Sequence, residues 1–232
     1  MNAQLLRIGD DLVAMHAVIT DDGITLIDAG LTGDRAALQR ALSDAGRTVS
    51  DIRGVVLTHG DSDHIGVAEW LRGEHGVPVH VHEADAARAR GEEKSHAPGG
   101  AWRLGAVLRF LAVTLRRGGL RIRAIGEVQT FRDGDVLDLP GAPEIIGLPG
   151  HSPGSVAIRV PAVDALFVGD AITTRNVLTG VDAVAIGPFS DAPDQTPASL
   201  ERLRELPEQL IVPGHGPQFV GTAAQLLDAL VI

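Results

Sequence analysis

The stretch LTHGDSDHIG, residues 57–66, is the part of the sequence that decides the fold and the site this chain can form. It begins inside IRGVVLT, a short and almost continuously apolar run typical of a strand that is buried on both faces. Four side chains that can bind metal ions follow at once: His59, Asp61, Asp63 and His64. This cluster directly after a strand predicts a site for two neighbouring metal ions.

Three further candidate ligands each follow an apolar run that ends in glycine. His151 comes after EIIGLPG, Asp170 after ALFVG and His215 after QLIVPG. The carboxyl ends of strands meet along one edge of a sheet, where α/β proteins place their sites. Glycine at these positions lets the backbone bend sharply and approach closely. We therefore expect these residues to join the 59–64 cluster at one sheet edge.

Strands and helices alternate along the chain in a way that is typical of layered α/β domains. The alternation falls into two similar halves, and two such halves packed sheet to sheet would form a four-layer αβ/βα sandwich. We expect two mixed β-sheets flanked by helices, with strands that include residues 121–125 and 136–140. One domain should span residues 1–232, because no linker or low-complexity run divides them.

A helical insertion is expected at about residues 83–119, a segment rich in alanine and arginine. Within it Leu104, Leu108, Leu111 and Leu115 recur at helical spacing. Such a stripe is typical of core packing. The alternatives are a lid beside the site or a dimer face.

Composition excludes several classes of function. The chain carries a formal net charge of −10, which disfavours a nucleic-acid partner because phosphate binding needs a basic face. Cysteine and tyrosine are absent, so metal ligands must be His, Asp or Glu, and no tyrosyl hydroxyl can serve catalysis. No apolar run is long enough to span a membrane, and the N-terminus lacks the pattern of a secretory signal. We expect a cytoplasmic protein without a membrane partner.

The segments TLIDAG, THGDSDHIG, LPGHSPGSVAI, LFVGDAI and VPGHG, in this order, resemble the motifs of the metallo-β-lactamase superfamily of metallohydrolases. The resemblance covers nearly the whole chain and implies the αβ/βα sandwich, with a binuclear metal site at one edge of the two sheets. It implies that one metal is held by His59, Asp61 and His151, and the other by Asp63, His64 and His215. Asp170 would bridge the two.

The same resemblance implies a hydroxide between the metals as the nucleophile, with Asp63 orienting it and shuttling its proton. Asp28 is similar to an acid that stands behind the ligands in this family, and a purely structural role is an equal alternative. Thr173, Arg175 and Asn176 are polar residues near the expected pocket. They are candidates for substrate contact, with ordinary loop polarity as the alternative.

One position departs from the family pattern, because the motif reads HxDxDH where HxHxDH is usual and Asp61 replaces the second histidine. An added carboxylate lowers the Lewis acidity of the metals and favours harder ions such as iron or manganese. The expected cofactors are two divalent metal ions, with zinc first and with iron or manganese as the alternatives that Asp61 favours. The family's flavodiiron branch has a carboxylate here and uses iron, so the change is compatible with a working site.

The function expected from the resemblance is metal-dependent hydrolysis of a small carbonyl ester, lactone or thioester, with a β-lactam or a phosphoester also open. One alternative is a non-haem iron redox enzyme, such as an oxygenase or a persulfide dioxygenase. Another is a non-enzymatic metal-binding protein. The expected partner is a small-molecule substrate, and a homodimer remains open.

Overall fold

The computed structural model describes residues 3–95 and 99–231. Its first sheet contains β1 (Gln4–Gly9), β2 (Ala14–Thr20), β3 (Gly23–Ile27), β4 (Ile52–Val56), β5 (Val79–His82) and β6 (Gln129–Phe131), in this spatial order. The pairs from β1 to β3 are antiparallel. Those from β3 to β6 are parallel, so the sheet is mixed.

The second half of the chain forms another mixed sheet and a separate hairpin. The strands of the sheet are β7 (Glu144–Gly147), β8 (Val156–Val160), β9 (Ala165–Gly169), β12 (Leu210–Pro213) and β13 (Phe219–Val220). The hairpin between β9 and β12 consists of β10 (Thr173–Asn176) and β11 (Val181–Ala185). Strands β9 and β12 are neighbours and run parallel, whereas the other pairs of this sheet are antiparallel.

The helices are α1 (Arg35–Asp44), α2 (Ala68–His75), α3 (Ala86–Ala89), α4 (Leu104–Arg116), α5 (Thr196–Leu200) and α6 (Ala223–Asp228). Helices α1 and α2 pack on the outer face of the first sheet, and α5 and α6 on that of the second. Helix α1 buries Leu38 and Leu42, which lie one turn apart on the same face. Within the described part of the chain, no helix has both the length and the apolar character needed to cross a bilayer.

Three apolar clusters define four layers. In β3, the neighbouring residues Leu26 and Ile27 point to opposite faces, as strand geometry requires. Leu26 packs in a cluster with α1 and α2, whereas Ile27 packs against the second sheet, in a cluster that includes Phe167. A third cluster packs the outer face of the second sheet against Leu200 and other residues of α5 and α6. The predicted four-layer αβ/βα sandwich is therefore confirmed.

Two of the strands predicted from the sequence are wrong. Residues 121–125 begin at the end of a short 3-10 turn (Gly119–Arg121) and continue as irregular backbone. The strand that pairs with β5 is β6 instead. Residues 136–140 contribute only one isolated bridge, between Val136 and Glu144. Alternating apolar residues form a strand only where a neighbouring strand offers free backbone groups. Both segments lack such a neighbour along their length.

The predicted insertion at about 83–119 contains α3 and α4, and its residues 96–98 lie outside the described residues. One face of α4 packs on Leu12, Val177 and Leu178 through its partly buried Val107, Phe110 and Val113. The leucine stripe (Leu104, Leu108, Leu111 and Leu115) lies on another face and is 48–62% exposed. Core packing is therefore the wrong interpretation of this stripe. The lid and the dimer face stay open, and the division into one domain with an insertion stays a prediction.

Candidate metal centre

The candidate ligands lie where four strands end, at one edge of the two sheets. Strand β4 leads into the 59–64 loop, β7 into the loop that carries His151, β9 into Asp170 and β12 into His215. The parallel neighbours β9 and β12 continue side by side beyond their ends, because Gly214 N donates to Gly169 O at 2.8 Å. The strand-end pattern of the sequence thus brings together residues that are far apart along the chain.

Ligand atoms lie within 4.8 Å of one another in three groups: His59, Asp61 and His151; His59, His64 and Asp170; and Asp63, His64 and His215. The first and third groups coincide with the two ligand sets that the resemblance implies. Asp170 lies between them, with Oδ2 at 3.0 Å from His215 Nε2 and 3.9 Å from His151 Nε2. One carboxylate can therefore reach both sets.

All four histidines are held by a hydrogen bond at Nδ1, on the side away from the centre. The partners are Thr58 Oγ1 for His59 (3.0 Å), Asp28 Oδ2 for His64 (2.9 Å), Ser190 Oγ for His151 (3.2 Å) and Leu12 O for His215 (2.5 Å). The two hydroxyl groups donate their own protons elsewhere, to Asp28 and to Gly187 O, so they accept from histidine. Each neutral imidazole therefore carries its proton on Nδ1 and points the Nε2 lone pair inward.

When the imidazoles are neutral, the inward-facing atoms are acceptors that face one another. Nε2 of His59, Nε2 of His64 and Oδ1 of Asp170 are buried and have no hydrogen-bond partner among the described residues. Buried acceptors without a donor cost free energy. A divalent cation between them would satisfy all three, and imidazole and carboxylate are ligands that zinc, iron and manganese accept. The residues therefore fit the metal ions that the sequence implies.

Asp28 stands behind this arrangement. Its carboxylate accepts from His64 Nδ1 and, at 2.8 Å, from Thr58 N, while Thr58 also supports His59. Asp28 adopts a left-handed backbone conformation (φ 56°), which is uncommon for a residue other than glycine. Such strain is usually found where function needs a fixed side chain. The role behind the metal ligands that the resemblance implies for Asp28 stays a prediction.

The carboxylates of the centre raise the proton affinity of two of the histidines. Burial lowers the pKa of His215, but Asp170 and Asp63 outweigh it and raise the pKa to about 9. Burial also opposes the charged form of His64, yet Asp28 and Asp170 raise its pKa well above the usual value. Protons therefore compete with metal ions for these nitrogen atoms.

Asp61 has partners that sequence reasoning missed. Its Oδ2 faces the centre, at 3.3 Å from His151 Nε2 and 3.7 Å from His59 Nε2. Its Oδ1 turns away and accepts from Ser95 Oγ at 2.6 Å and from Arg88 Nη1 at 3.2 Å. No pattern in the sequence pairs Arg88 or Ser95 with position 61, because each belongs to the arginine- and alanine-rich segment that has no strand-end signal.

Asp85 is a second residue that the sequence did not single out. It is buried and accepts from Gly60 N at 2.8 Å, Gly154 N at 2.7 Å and Ser152 Oγ at 2.7 Å. These three bonds join the 59–64 loop, the loop after His151 and the start of α3. Asp85 thus fixes the loops of both sheets relative to each other.

The three candidate substrate contacts are engaged in bonds within the protein. Thr173 is buried and donates to Ala185 O, Arg175 pairs with Asp182 at 2.6 Å, and Asn176 Oδ1 accepts from two backbone N–H groups of its own turn. Their predicted role toward a substrate stays a prediction.

Known proteins share this sequence pattern. The family model of the Metallo-beta-lactamase superfamily matches residues 8–215. Probable metallo-hydrolase YqgX of Bacillus subtilis (strain 168) is 26% identical over 223 residues, which make up 94% of this chain and 92% of that protein. Hydroxyacylglutathione hydrolase of Jannaschia sp. (strain CCS1) is 30% identical over 184 residues, 78% of this chain and 54% of that protein.

A solved structure shares the fold. TTHA1623, in a di-iron-bound form, is 26% identical, matches over 98% of both chains and has a TM-score of 0.63. The family model spans most of the chain, from strand β1 of the first sheet to His215, just after strand β12 of the second. The chain therefore belongs to the metallo-beta-lactamase superfamily, as one of its metallohydrolases.

Proposed function

We propose that this protein is a binuclear metallohydrolase that cleaves a small carbonyl ester, lactone or thioester. The observation that carries the proposal is that four Nε2 atoms and three carboxylates converge on one centre, with every histidine fixed from behind. His59, Asp61 and His151 would hold one ion, Asp63, His64 and His215 the other, and Asp170 would contact both. Two divalent cations held in this way lower the pKa of bound water toward neutrality and polarise a substrate carbonyl.

Asp63 is the carboxylate best placed to move a proton. Its side chain is 18% exposed, against 8% for Asp61 and 4% for Asp170. Its Oδ2 lies 3.5 Å from His215 Nε2, and no hydrogen bond to a described residue occupies the carboxylate. We assign to Asp63 the orientation of the attacking water and the transfer of its proton toward solvent.

The substrate class rests on chemistry and on one relative. The Jannaschia protein is named a hydroxyacylglutathione hydrolase, and its substrate is a thioester. A thioester, an ester and a lactone present the same electrophilic carbonyl to an activated water. β-Lactams and phosphoesters are further candidate substrates, because a metal pair also stabilises the negative charge that develops on their oxygen atom during attack.

Zinc is the metal that we propose first. The four imidazoles of the centre suit zinc, and the three carboxylates keep iron and manganese as candidates. The di-iron-bound form of TTHA1623 supports iron as the main alternative.

Metal analysis joined to a substrate panel tests the proposal. Protein purified without added metal should contain about two zinc, manganese or iron ions per chain and should hydrolyse members of an ester, lactone and thioester panel. One iron per chain together with oxygen uptake would contradict hydrolysis and favour a redox enzyme. Protein that binds metal but neither hydrolyses a compound of the panel nor consumes oxygen would favour a non-enzymatic binding role.

Substitution of Asp61 tests the least usual ligand. Asp61→His should keep both metals and shift the preference toward zinc, because imidazole is a softer ligand than carboxylate. Asp61→Ala should lose metal from the His59–Asp61–His151 group. Full metal content and activity in Asp61→Ala would show that Asp61 is not a ligand.

Other expectations remain predictions from the sequence. They are a cytoplasmic location, a small-molecule substrate without nucleic acid or membrane as partner, and a homodimer as an open question. The exposed leucine stripe of α4 is where self-association should be sought, since contiguous apolar patches often mark interfaces.

A further inference from the structure

Arg88 has a buried guanidinium whose orientation is fixed by two carboxylates. Its side chain is only 5% exposed, in a region where an unpaired guanidinium would be costly. Nη1 donates to Asp61 Oδ1 at 3.2 Å, and Nη2 donates to Asp191 Oδ2 at 2.5 Å. The guanidinium therefore lies between a candidate metal ligand and a carboxylate on the loop that follows β11.

The backbone around Arg88 is built to bring it close to the 59–64 loop. A Cβ atom at Gly60 would lie 3.0 Å from Arg88 Cβ and 2.9 Å from Ala89 N, so only glycine permits this approach. Asp85, at the start of α3, accepts from Gly60 N at 2.8 Å and fixes the helix against the loop. On the far side, Asp191 N donates to His151 O at 2.9 Å, which ties Asp191 to the loop of another candidate ligand.

The two oxygen atoms of Asp61 have different surroundings: one accepts hydrogen bonds and the other faces the candidate metal centre. Oδ1 accepts from Arg88 and from Ser95 Oγ, at 2.6 Å. Oδ2 is left to face His59 and His151, the residues of the same candidate ligand group. A carboxylate held in this way can offer one oxygen to a metal, as an imidazole offers one nitrogen.

We infer that Arg88 is a positioning residue that makes Asp61 a one-oxygen metal ligand and offsets part of the charge that distinguishes Asp61 from histidine. The inference rests on the proposed function, in which Asp61 binds metal. Arg88 also pairs with Asp191, so it offsets the negative charge of Asp61 in part, and the held carboxylate resembles the usual histidine in offering one ligand atom. The preference for harder ions expected from Asp61 alone is therefore reduced, and zinc is favoured.

A purely structural role is the competing explanation. Arg88 could serve only to hold α3 against the Asp191 loop. That role would not depend on which residue stands at position 61. The two explanations therefore differ in how the effect of an Arg88 substitution changes when Asp61 is replaced by histidine.

The experiment is a double-mutant cycle in the full-length, metal-free protein, with zinc and manganese ions alone as probes. The variants are Arg88→Met, Arg88→Lys, Asp61→His, the double variant of Asp61→His with Arg88→Met, and Asp61→Ala. Arg90→Met is the matched control, because Arg90 pairs with Glu92 near the surface and contacts no candidate ligand. Circular dichroism and thermal melting of each metal-free variant check that it folds, and cobalt(II) absorption reports ligand geometry.

Arg88→Met should weaken zinc binding to the Asp61 group by roughly 10- to 100-fold, as loss of a ligand's supporting hydrogen bond does. It should also lower the ratio of zinc to manganese affinity, because Asp61 regains its full charge. Arg88→Lys keeps the positive charge but loses the planar pair of N–H donors, so its zinc affinity should lie between those of Arg88→Met and the wild type. In the Asp61→His background, Arg88→Met should change zinc affinity by no more than about twofold.

Two results would overturn the inference. One is an equal loss of zinc affinity on Arg88→Met in both backgrounds, which would assign Arg88 a structural role only. The other is an unchanged zinc affinity in Arg88→Met while Asp61→Ala loses metal, which would leave the proposed function standing. If Asp61→Ala also keeps its zinc, the proposed ligand set itself is wrong, and the role of Arg88 fails with it.

Discussion

The four candidate histidine ligands are oriented for metal binding because a hydrogen bond at Nδ1, the outer nitrogen, fixes each ring. They are His59, His64, His151 and His215. The partners include a carboxylate, two hydroxyl groups and a backbone carbonyl, so the shared feature is the direction of the bond rather than the type of partner. Outer partners of this kind fix the tautomer and orientation of metal-binding histidines. At the scale of single residues, the site is therefore preorganised before any cation binds.

Asp170 is the residue whose loss should affect both metals. Its two oxygen atoms face His64 at 3.4 Å, His215 at 3.0 Å and His151 at 3.9 Å. We expect Asp170→Ala to lower metal content in both ligand groups, whereas Asp61→Ala should affect mainly one. Elemental analysis of the two purified variants provides the comparison, and a one-metal Asp170→Ala protein with normal affinity would contradict the bridging role.

Metal binding should release protons from His64 and His215. Both pKa values are raised in the metal-free centre, that of His215 to about 9, so at pH 7 His215 is protonated and His64 favours its charged form. A metal ion must displace these protons, and its affinity should fall as the pH drops below 9, about tenfold per pH unit for each proton released. Calorimetric zinc titrations in buffers of different ionisation enthalpy measure the protons directly. Zinc affinity that is constant between pH 6 and about 9 would contradict these protonation states.

At the scale of secondary-structure elements, the strand ends and their glycines position the site. Strand β12 delivers His215 through Gly214, and a Cβ atom at Gly214 would overlap Asp170 Oδ1 and come within 3.0 Å of His64 Cε1. The glycine is needed for space and not for its backbone angle, since Gly214 is not among the residues with positive φ. Two strands can therefore bring their ligands together only if this position lacks a side chain.

Gly214→Ala tests that steric requirement. The added methyl group should push Asp170 out of place and weaken metal binding by at least about tenfold, in the range found for residues that support ligands. The matched control is Gly105→Ala in α4, where nothing lies within 4 Å of the added Cβ and where alanine should stabilise the helix by about 0.5–1 kcal/mol. Metal titration measures the affinity of both variants, and a wild-type metal affinity in Gly214→Ala would contradict the steric requirement.

At the scale of the whole molecule, the ligands tie the two sheets to each other. His59 to His64 follow the first sheet, while His151, Asp170 and His215 follow strands of the second. Bound metal should therefore stabilise the fold as well as supply chemistry. Any ligand that binds only the native state stabilises it, by about 2.7 kcal/mol at a free concentration of 100 times the dissociation constant.

Removal of metal should lower the melting temperature accordingly. For a chain of this size, about 2.7 kcal/mol corresponds to a decrease of about 5–10 °C. Thermal melting with and without a chelator measures the change, and restoring zinc should reverse it. Asp170→Ala serves as the control, because its melting temperature should respond little to the chelator. An equal response in the two proteins would show that the stabilising metal binds elsewhere.

Sequence reasoning failed where an element depends on its neighbours. The strand predicted at 121–125 has a suitable pattern, but β6 takes the place beside β5. The stripe that begins at Leu104 has the spacing of a core face, but the helix packs through Val107 and Phe110 instead. Periodicity shows that a face is apolar, and it does not show what covers that face.

The sequence by itself predicted the fold family and the seven candidate ligands, while their grouping rested on the resemblance to the family. It could do so because the 59–64 cluster is local and because each strand-end glycine marks the same sheet edge. Only the tertiary structure decided how those ligands are held. Leu12 lies 203 positions from His215, and Arg88 lies 27 positions from Asp61, so neither contact leaves a trace in local spacing. The physical reason is that hydrogen-bond partners of buried groups are chosen by packing in space, whereas strands and turns are chosen largely by neighbours along the chain.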